Sequence, residues 1–377
     1  MGALLISRDL QEVLAALRAP AAPAVLATLV RVKGSSYRRA GARMLLRPDA
    51  EPIGGVSAGC LEVDLQARVA EVLKLGEPQV ARFQMGHELD LIWGTGMGCG
   101  DAAEVLLEPV TPGAPAPWVS ACHDLLAHRR PGALATVFAA RGGADLPVGT
   151  RVVLDAEGLS LGPDHPLRAE LESALREVLA TEVAAGLTFA CGAGEVDLLL
   201  EPLPPPFALW VYGAGENARP LARLARELGW FLGIVDHRPA LATPERFPEA
   251  DRLVVGHPPA CLEGLPFDGR SAALVISHIY DKDRAAVAAL LEQPLAYVGL
   301  QGNRARSARI IAEIEATHGP LSDEQRRRLH VPAGLDLGGG SPEVIALAMV
   351  AEVQATLAGH GGGRLKDRCG GIHQRST

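Results

Sequence analysis

The spacing of apolar and polar positions along the chain changes at residue 207. After Phe207, short apolar runs such as Ala208 to Tyr212 alternate with helical patterns such as Asp281 to Leu291. Strands that alternate with helices are typical of a parallel sheet covered by helices. The pattern therefore predicts an α/β, Rossmann-like doubly wound domain at 207–360 with a tail at 361–377. Its other predicted elements are strands at 232–235, 253–255, 272–276 and 296–299 and helices at 216–228, 304–318 and 342–357.

Before residue 207 the pattern is that of a repeated unit. A shift of 108 positions relates several residues in order: Thr28 and Thr136, Gly34 and Gly142, Gly41 and Gly149, Arg43 and Arg151, and Gly54 and Gly162. Matches in one register indicate an internal repeat. We predict two copies of a small α+β unit, at 20–112 and 130–203, within domains 1–112 and 113–206. Each copy has two predicted strands, a helix and a final strand: 24–32, 43–46, 62–73 and one that contains 105–107, then 133–139, 151–154, 166–179 and one that contains 198–200.

A loop of glycines around one cysteine separates the second strand and the helix of the first copy. Its sequence, 54–62, is Gly-Gly-Val-Ser-Ala-Gly-Cys-Leu-Glu. Glycines let a ligand approach the main chain, and a helix N-terminus favours the thiolate of Cys60. The loop therefore predicts a site for an anionic ligand that carries sulfur or metal, lined by Gly55, Ser57, Gly59 and Cys60. The same pattern is also typical of a strand–turn–helix corner with a buried cysteine.

The second copy lacks this loop, since it has Pro163-Asp164-His165 in its place. A unit that folds without the loop does not need it for its core, which favours a functional thiol at Cys60. Cys99 lies in a second glycine-rich run, but Cys191 matches it in the repeat, so Cys99 is assigned a supporting role. Arginines including Arg38 and Arg43 gather around Gly34-Ser35-Ser36 and predict a site for phosphate or another oxyanion, or else a solvated basic face.

Composition narrows the classes of function. The 377 residues carry a net charge of −8, which argues against nucleic acid as the main partner. No run of 18 apolar residues predicts a membrane span. The six cysteines have no metal-type spacing, which favours reduced thiols in the cytoplasm. No Gly-x-Ser-x-Gly, HExxH or Walker A pattern occurs, so the common hydrolase, zinc-protease and P-loop interpretations are removed.

The C-terminal domain carries a dinucleotide-type fingerprint. Gly213-Ala-Gly215 follows a predicted strand and opens a helix, and Asp236 ends the next strand at the distance expected of a ribose-binding carboxylate. This context predicts binding of NAD(P) or another nucleotide, with Gly213, Gly215 and Asp236 as contacts. The alternative is a Rossmann scaffold with an altered site.

Further loops follow the later strands and meet at the same sheet edge. His278 follows the fourth strand, Gly302 the fifth, and the glycine run 338–340 comes last. Doubly wound sheets bind ligands at this edge, so a cleft is expected there. His278 is a candidate acid–base residue or a cap for the next helix. The residues alone leave open an NAD(P)-dependent oxidoreductase that uses the Gly213 loop and His278.

Several motifs taken together resemble the XdhC/CoxI family. They are Lys33-Gly-Ser-Ser-Tyr-Arg38, Gly55-Val-Ser-Ala-Gly-Cys-Leu-Glu62, Cys99-Gly100, Tyr212-Gly-Ala-Gly215, Val235-Asp-His-Arg-Pro239, Gly299-Leu-Gln-Gly302 and Pro332-Ala-Gly-Leu-Asp336. They span nearly the whole chain in order. The resemblance implies an accessory factor of a xanthine or carbon monoxide dehydrogenase-type molybdenum hydroxylase, a cofactor chaperone rather than a catalyst.

The resemblance also implies a cargo and partners. The cargo is molybdenum cofactor (molybdopterin), with Cys60 near the molybdenum. The partners are the apoenzyme, a cysteine desulfurase that sulfurates the cofactor, and a second copy of the chain in a homodimer. A third interpretation is a structural assembly protein whose Rossmann domain only dimerises or docks the target.

Overall fold

The computed structural model describes residues 8–33, 38–84, 102–113 and 115–367. They form two compact units, 8–205 and 206–367. The first unit holds both copies of the predicted repeat, and the second holds the predicted Rossmann-like domain. Cys99, the stretch 34–37 and most of the tail lie outside the described residues.

The first copy is a five-stranded sheet covered by helices. Its sheet has the order β3-β2-β1-β5-β4, with antiparallel pairing throughout. The elements are α1 (Arg8–Arg18), β1 (Ala24–Lys33), β2 (Arg43–Arg47), β3 (Ala50–Gly54), α2 (Glu62–Leu75), β4 (Gln79–Gln84) and β5 (Ala102–Val110). Helix α2 packs Leu65, Val69 and Val72 onto this sheet.

The second copy repeats the same order of strands, β8-β7-β6-β10-β9. Its elements are α3 (Pro117–Ala127), β6 (Gly132–Gly143), β7 (Arg151–Asp155), β8 (Gly158–Leu161), α4 (Arg168–Thr181), β9 (Ala185–Cys191) and β10 (Ala193–Leu203). Only residues 111–116 separate the two copies, because β5 ends at Val110 and α3 begins at Pro117. Each copy includes the helix before its first strand, which the prediction had placed outside the repeat.

The two copies are halves of one unit, because they share buried residues. Val30, Leu106, Phe138 and Leu199 form one apolar cluster, and α1 packs with α3 in another. Val30 and Phe138 occupy equivalent places in the two copies, as do Leu106 and Leu199. The two copies therefore contact each other through equivalent residues, as in a pair with approximate two-fold symmetry.

The unit at 206–367 is the predicted doubly wound domain. Its six strands are all parallel, in the order β13-β12-β11-β14-β15-β16. The strands are β11 (Ala208–Tyr212), β12 (Phe231–Asp236), β13 (Arg252–Val255), β14 (Ser271–Val275), β15 (Tyr297–Leu300) and β16 (Leu329–His330). The helices are α5 (Ala218–Glu227), α6 (Tyr280–Leu291), α7 (Arg304–His318), α8 (Asp323–Arg328) and α9 (Pro342–Ala358), with 3-10 turns at Ala260–Leu262 and Leu365–Asp367.

Apolar layers cover both faces of this sheet. The strand order reverses between β11 and β14, which places a topological switch point between the loops that follow these two strands. None of the helices in the described ranges combines the length and apolar character needed to cross a lipid bilayer.

Candidate cofactor-binding sites

The Gly–Cys loop (residues 54–62) is held by an internal network around Glu62. The Glu62 carboxylate accepts hydrogen bonds from Ser57 N at 2.9 Å, from Ser57 Oγ, and from Leu61 N at 3.1 Å. Ser57 Oγ also accepts from Gly59 N and Leu61 N. Partial burial opposes ionisation of Glu62, but the hydrogen bonds from Ser57 hold its pKa below the ordinary value.

This network reduces the number of backbone N–H groups that the loop can offer to a ligand. The N–H groups of Ser57, Gly59 and Leu61 point inward to Ser57 and Glu62 and are not offered to a ligand. The N–H groups of Ala58 and Cys60 have no acceptor among the described residues. Ala58 and Gly59 are exposed and Cys60 is partly exposed. The loop therefore leaves the N–H groups of Ala58 and Cys60 and the Cys60 thiol for a ligand, and the hydrogen bonds of Ser57 and Glu62 hold its backbone in place.

Two glycines give the loop its shape. Gly59 has φ +107°, and a Cβ there would meet nothing within 4 Å, so the backbone conformation rather than space requires glycine. Gly54 has φ +77°, and a Cβ there would lie 2.5 Å from the carbonyl oxygen of Arg43. The turn that carries Cys60 to the start of α2 therefore depends on both residues.

The two predicted arginines have different positions. Arg38 lies beside the loop, because a Cβ on Gly55 would be 3.9 Å from its Nη2, and Nη2 also donates to Asp9 at 2.6 Å. The Arg43 side chain is fully buried and donates to Glu201 and to the carbonyl oxygen of Gly41. Arg38 therefore stays in the candidate site, whereas Arg43 is an internal ion pair that we leave out of it.

The other described cysteines are poorer nucleophiles or ligands. Burial raises the pKa of Cys122 to about 12, and burial also raises the pKa of Cys191 and of Cys261. A raised pKa keeps a thiol protonated and unreactive at neutral pH. Among the four described cysteines, all free, Cys60 is the one presented by an exposed loop.

The second copy holds a polar cluster that the sequence analysis missed. Asp145 Oδ1 accepts from Cys191 Sγ at 2.8 Å and lies 3.0 Å from His165 Nε2. These three donor atoms have metal-like spacing. However, His165 Nδ1 accepts from Leu167 N at 3.1 Å, which places the neutral ring's proton on Nε2, facing Asp145. A metal would have to displace that proton, so we interpret the cluster as a hydrogen-bonded start of α4.

One signal in the sequence pointed to this cluster. His165 stands where the second copy replaces the Gly–Cys loop, and Cys191 matches Cys99 in the repeat. Asp145 lies in the loop between β6 and β7, and no spacing links it to the other two. Contact between three separate segments is a property of the fold and was not readable from spacing.

The second candidate site lies at the switch point of the parallel sheet. Gly213, after β11, packs so closely on the loop after β14 that a Cβ would lie 2.7 Å from Ser277 N. Asn217 Nδ2 lies 3.4 Å from His278 Nε2, and His278 adopts a left-handed φ of +62°. The structure thus brings Gly213 and His278 to one edge, with Gly215 facing open space.

Asp236 is engaged within the fold. Its carboxylate is fully buried and accepts from Ala214 N, from Arg238 N, and from Arg238 Nε and Nη2. Burial opposes ionisation, yet the Arg238 hydrogen bonds lower the pKa of Asp236. These four bonds use the oxygens that would otherwise accept from a ribose hydroxyl. Asp236 therefore fixes the Gly213 loop, and its predicted contact with a nucleotide stays a prediction.

Glu216, the other acidic group beside this loop, is also compensated. It accepts from Arg246 Nη2 at 2.7 Å and from Arg219 Nη1 at 3.4 Å. The Arg246 hydrogen bond lowers the pKa of Glu216. Each carboxylate near the glycine loop thus has an arginine partner, which reduces the repulsion that a phosphate would meet.

Comparison with known proteins matches both units. The family model described as the XdhC Rossmann domain matches residues 209–353, and that of the XdhC and CoxI family matches residues 17–84. A probable xanthine dehydrogenase subunit of Bacillus subtilis (strain 168) is 30% identical over 88% of this chain and 93% of its own length. The molybdenum cofactor insertion chaperone PaoD of Escherichia coli (strain K12) is 22% identical over 88% of this chain and 82% of its own.

A solved structure has the same fold. The crystal structure of a xanthine dehydrogenase from Bacillus halodurans superposes with a TM-score of 0.74 and 26% identity, covering 96% of this chain and 98% of the other. The likeness therefore extends over both units.

Proposed function

The chain belongs to the XdhC and CoxI family, and from that premise we propose that it is an accessory protein that matures a molybdenum hydroxylase by binding its molybdenum cofactor. The observation that carries the proposal is the exposed Gly–Cys loop, which presents the Cys60 thiol and two free N–H groups beside Arg38. A thiolate is a suitable ligand for a soft or thiophilic metal centre, and backbone N–H groups with a guanidinium suit a phosphate.

The finer steps of this function belong to the same proposal. The loop would hold the cofactor while a cysteine desulfurase supplies sulfur, and the protein would then deliver it to a xanthine or carbon monoxide dehydrogenase-type apoenzyme as a homodimer in the cytoplasm. The free thiols of the described cysteines fit a reducing compartment. A relative named as a cofactor insertion chaperone supports the direction of transfer.

Binding of the isolated cofactor tests the proposal. Molybdenum cofactor released from a molybdenum enzyme is mixed with the purified protein, and bound molybdenum and pterin are measured after gel filtration. We expect Cys60→Ala to weaken binding on the order of tenfold, the effect of losing one contact worth about 1.4 kcal/mol. Cys261→Ala removes a thiol from the other unit and serves as the control. Binding by Cys60→Ala that equals that of the control would remove the cysteine from the site.

The alternative, an NAD(P)-dependent oxidoreductase, depends on the switch-point loops. Gly213, Asn217 and His278 meet there, as that alternative needs. Against it stands Asp236, whose carboxylate is buried and already bonded to Arg238 and Ala214. Titration with NADH and NADPH separates the two functions, since micromolar binding with substrate-dependent turnover would favour the enzyme. A protein that binds neither cofactor but still binds the apoenzyme would favour the assembly role.

A further inference from the structure

The start of α7 holds polar atoms that the fold leaves without partners. Helix α7 begins directly after β15, and the Asn303 side chain caps it by accepting from Arg306 N at 2.8 Å. Within the described chain, Arg306 Nη1 and Ser307 Oγ are both buried and have no hydrogen-bond partner. A buried polar atom without a partner is unfavourable, so two of them at one place require an explanation, and a ligand that bonds to both is one.

Both atoms face the same glycine. A Cβ on Gly302 would lie 3.4 Å from Arg306 Nη1 and 3.5 Å from Ser307 Oγ. Because Gly302 has no side chain, no Cβ stands against the two polar atoms. Ser307 is 2% exposed, so its hydroxyl faces Gly302 and not bulk solvent. We call Gly302, Arg306 and Ser307 the α7 cradle.

The guanidinium of Arg306 is held in place before any ligand binds. Its Nη2 donates to Asp283 Oδ2 at 2.6 Å, and the other oxygen of Asp283 accepts from Ser277 Oγ at 2.5 Å. The Asp283 side chain is fully buried. A fixed guanidinium loses little conformational entropy when its remaining N–H groups bind a ligand.

We propose that the α7 cradle binds the phosphoryl group of a small phosphate ester. The groups it offers are a guanidinium N–H, a hydroxyl and the N-terminus of a helix, all of which donate to anionic oxygens. A phosphoryl group has three oxygens for these donors, whereas the carboxylate of Asp283, which a cation would need, is already engaged by Arg306 and Ser277. Arg304, exposed at the first position of α7, adds a positive charge that has no acidic partner in the part of the chain described here.

The position in the fold supports a ligand site. The cradle lies at the carboxyl ends of the parallel strands, where doubly wound sheets bind their ligands. It belongs to the unit at 206–367 and uses no residue of the Gly–Cys loop. The inference therefore goes beyond the proposed function, and it holds or fails independently of cofactor binding at Cys60.

Phosphate binding to the full-length protein tests the α7 cradle. Inorganic phosphate and adenosine monophosphate are titrated separately, with isothermal calorimetry and phosphorus NMR as readouts. We expect millimolar or tighter binding that is weakened about tenfold by Ser307→Ala, the loss of one hydrogen bond to a charged ligand. Tighter binding of the monophosphate would identify an ester as the ligand, and equal binding would identify the phosphoryl group alone as the recognised part.

Two further variants provide a second test and a control. Arg306→Lys keeps a cation for Asp283 but removes Nη1, so it should also weaken binding about tenfold. Arg309→Lys changes an exposed arginine of the same helix and should stay within about twofold of wild type. Ser307→Ala keeps the proposal testable if Arg306→Lys folds poorly. Absence of binding at millimolar phosphate, or unchanged binding by a folded Ser307→Ala variant, would overturn the proposal.

Discussion

Glu62 is a single side chain that determines which groups of the Gly–Cys loop face outward. Its carboxylate and the Ser57 hydroxyl take up the N–H groups of Ser57, Gly59 and Leu61. The negative charge also lies at the N-terminus of α2, where it interacts favourably with the helix dipole. A ligand is therefore left with the Cys60 thiol, the N–H groups of Ala58 and Cys60, and Arg38, which is a smaller and more specific set than an open glycine loop.

Replacing Glu62 by glutamine should destabilise the unit at 8–205 by about 1–2 kcal/mol at neutral pH, since charged hydrogen bonds are lost. The pKa of Glu62 in the folded protein is below its ordinary value of about 4.3. The stabilisation that the ionised carboxylate gives to the fold is therefore fully present above about pH 4.3 and is lost as the pH falls through the folded pKa. The difference between wild type and Glu62→Gln in urea unfolding should shrink on acidification below about pH 4.

The matched control for this prediction is Asp64→Asn. Asp64 lies in the same first turn of α2 and is exposed, so its replacement reports the helix-dipole contribution alone. If the two variants unfold at the same urea concentration across the pH range, the loop network contributes nothing beyond the dipole.

Two glycines of the switch-point loop differ in what they tolerate. Gly213→Ala places a Cβ 2.7 Å from Ser277 N at φ +121°, so the unit at 206–367 should lose at least about 2 kcal/mol of unfolding free energy. Gly215→Ala meets nothing within 4 Å and should change stability by less than about 0.5 kcal/mol. Urea unfolding of both variants measures the contrast, and similar losses from both would contradict the close packing at Gly213.

At the scale of elements, the two copies start their equivalent helices in different ways. Before α2 the N–H group of Leu61 is satisfied by Ser57 and Glu62, and before α4 that of Leu167 is satisfied by His165 Nδ1. Both devices meet the same need, since the first N–H groups of a helix have no partner within it. The second copy therefore reaches the same fold without the Gly–Cys loop, whereas the first copy keeps the partly exposed thiol of Cys60 at this place.

Replacing His165 should expose this difference. His165→Ala removes the acceptor for Leu167 N and should cost about 1 kcal/mol of stability, as the loss of one hydrogen bond does. His165→Asn keeps a side-chain acceptor at this position and should recover most of that loss. Thermal unfolding of the two variants measures the effect. A variant pair with equal melting temperatures would mean that the capping bond contributes little.

Elements with clear periodicity were predictable, and those without it were not. The sequence predicts α7 at 304–318, and the structure has it at Arg304–His318. Helix α3 was not predicted because its start, Pro115-Ala-Pro117, has the composition of a proline-rich linker, although proline is favoured at the first helical position. Strands β3 and β9 are largely exposed, so they lack the apolar pattern that identifies a strand.

The candidate sites were predictable only in part, for a related reason. Glycine and cysteine spacing located the Gly–Cys loop, and strand order located the Gly213 loop. Spacing does not reveal which side chains find partners across the fold. Arg43 and Asp236 were predicted to bind ligands, but both are buried in ion pairs whose partners, Glu201 and Arg238, were not assigned to them.

At the scale of the first unit, the repeat is held together by two reciprocal ion pairs. Arg43 of the first copy donates to Glu201 of the second, and Arg151 of the second donates to Glu108 of the first. Each arginine also donates to the carbonyl oxygen of the glycine two residues before it. Burial disfavours the charge of Arg43, but Glu201 raises its pKa above the ordinary value. The pairs are equivalent under the repeat.

This reciprocity predicts that the copies depend on each other through paired charges. Arg43→Met leaves the nearly buried carboxylate of Glu201 without its cation and should destabilise the unit at 8–205 by about 3–5 kcal/mol. Arg43→Met combined with Glu201→Leu removes both charges and should recover most of that loss, because an apolar pair suits a buried place. Arg151→Met should repeat the effect with a smaller loss, since Glu108 is more exposed than Glu201. Urea unfolding provides the double-mutant cycle. A double variant as unstable as Arg43→Met alone would show that packing around the guanidinium, rather than the charge pair, joins the two copies.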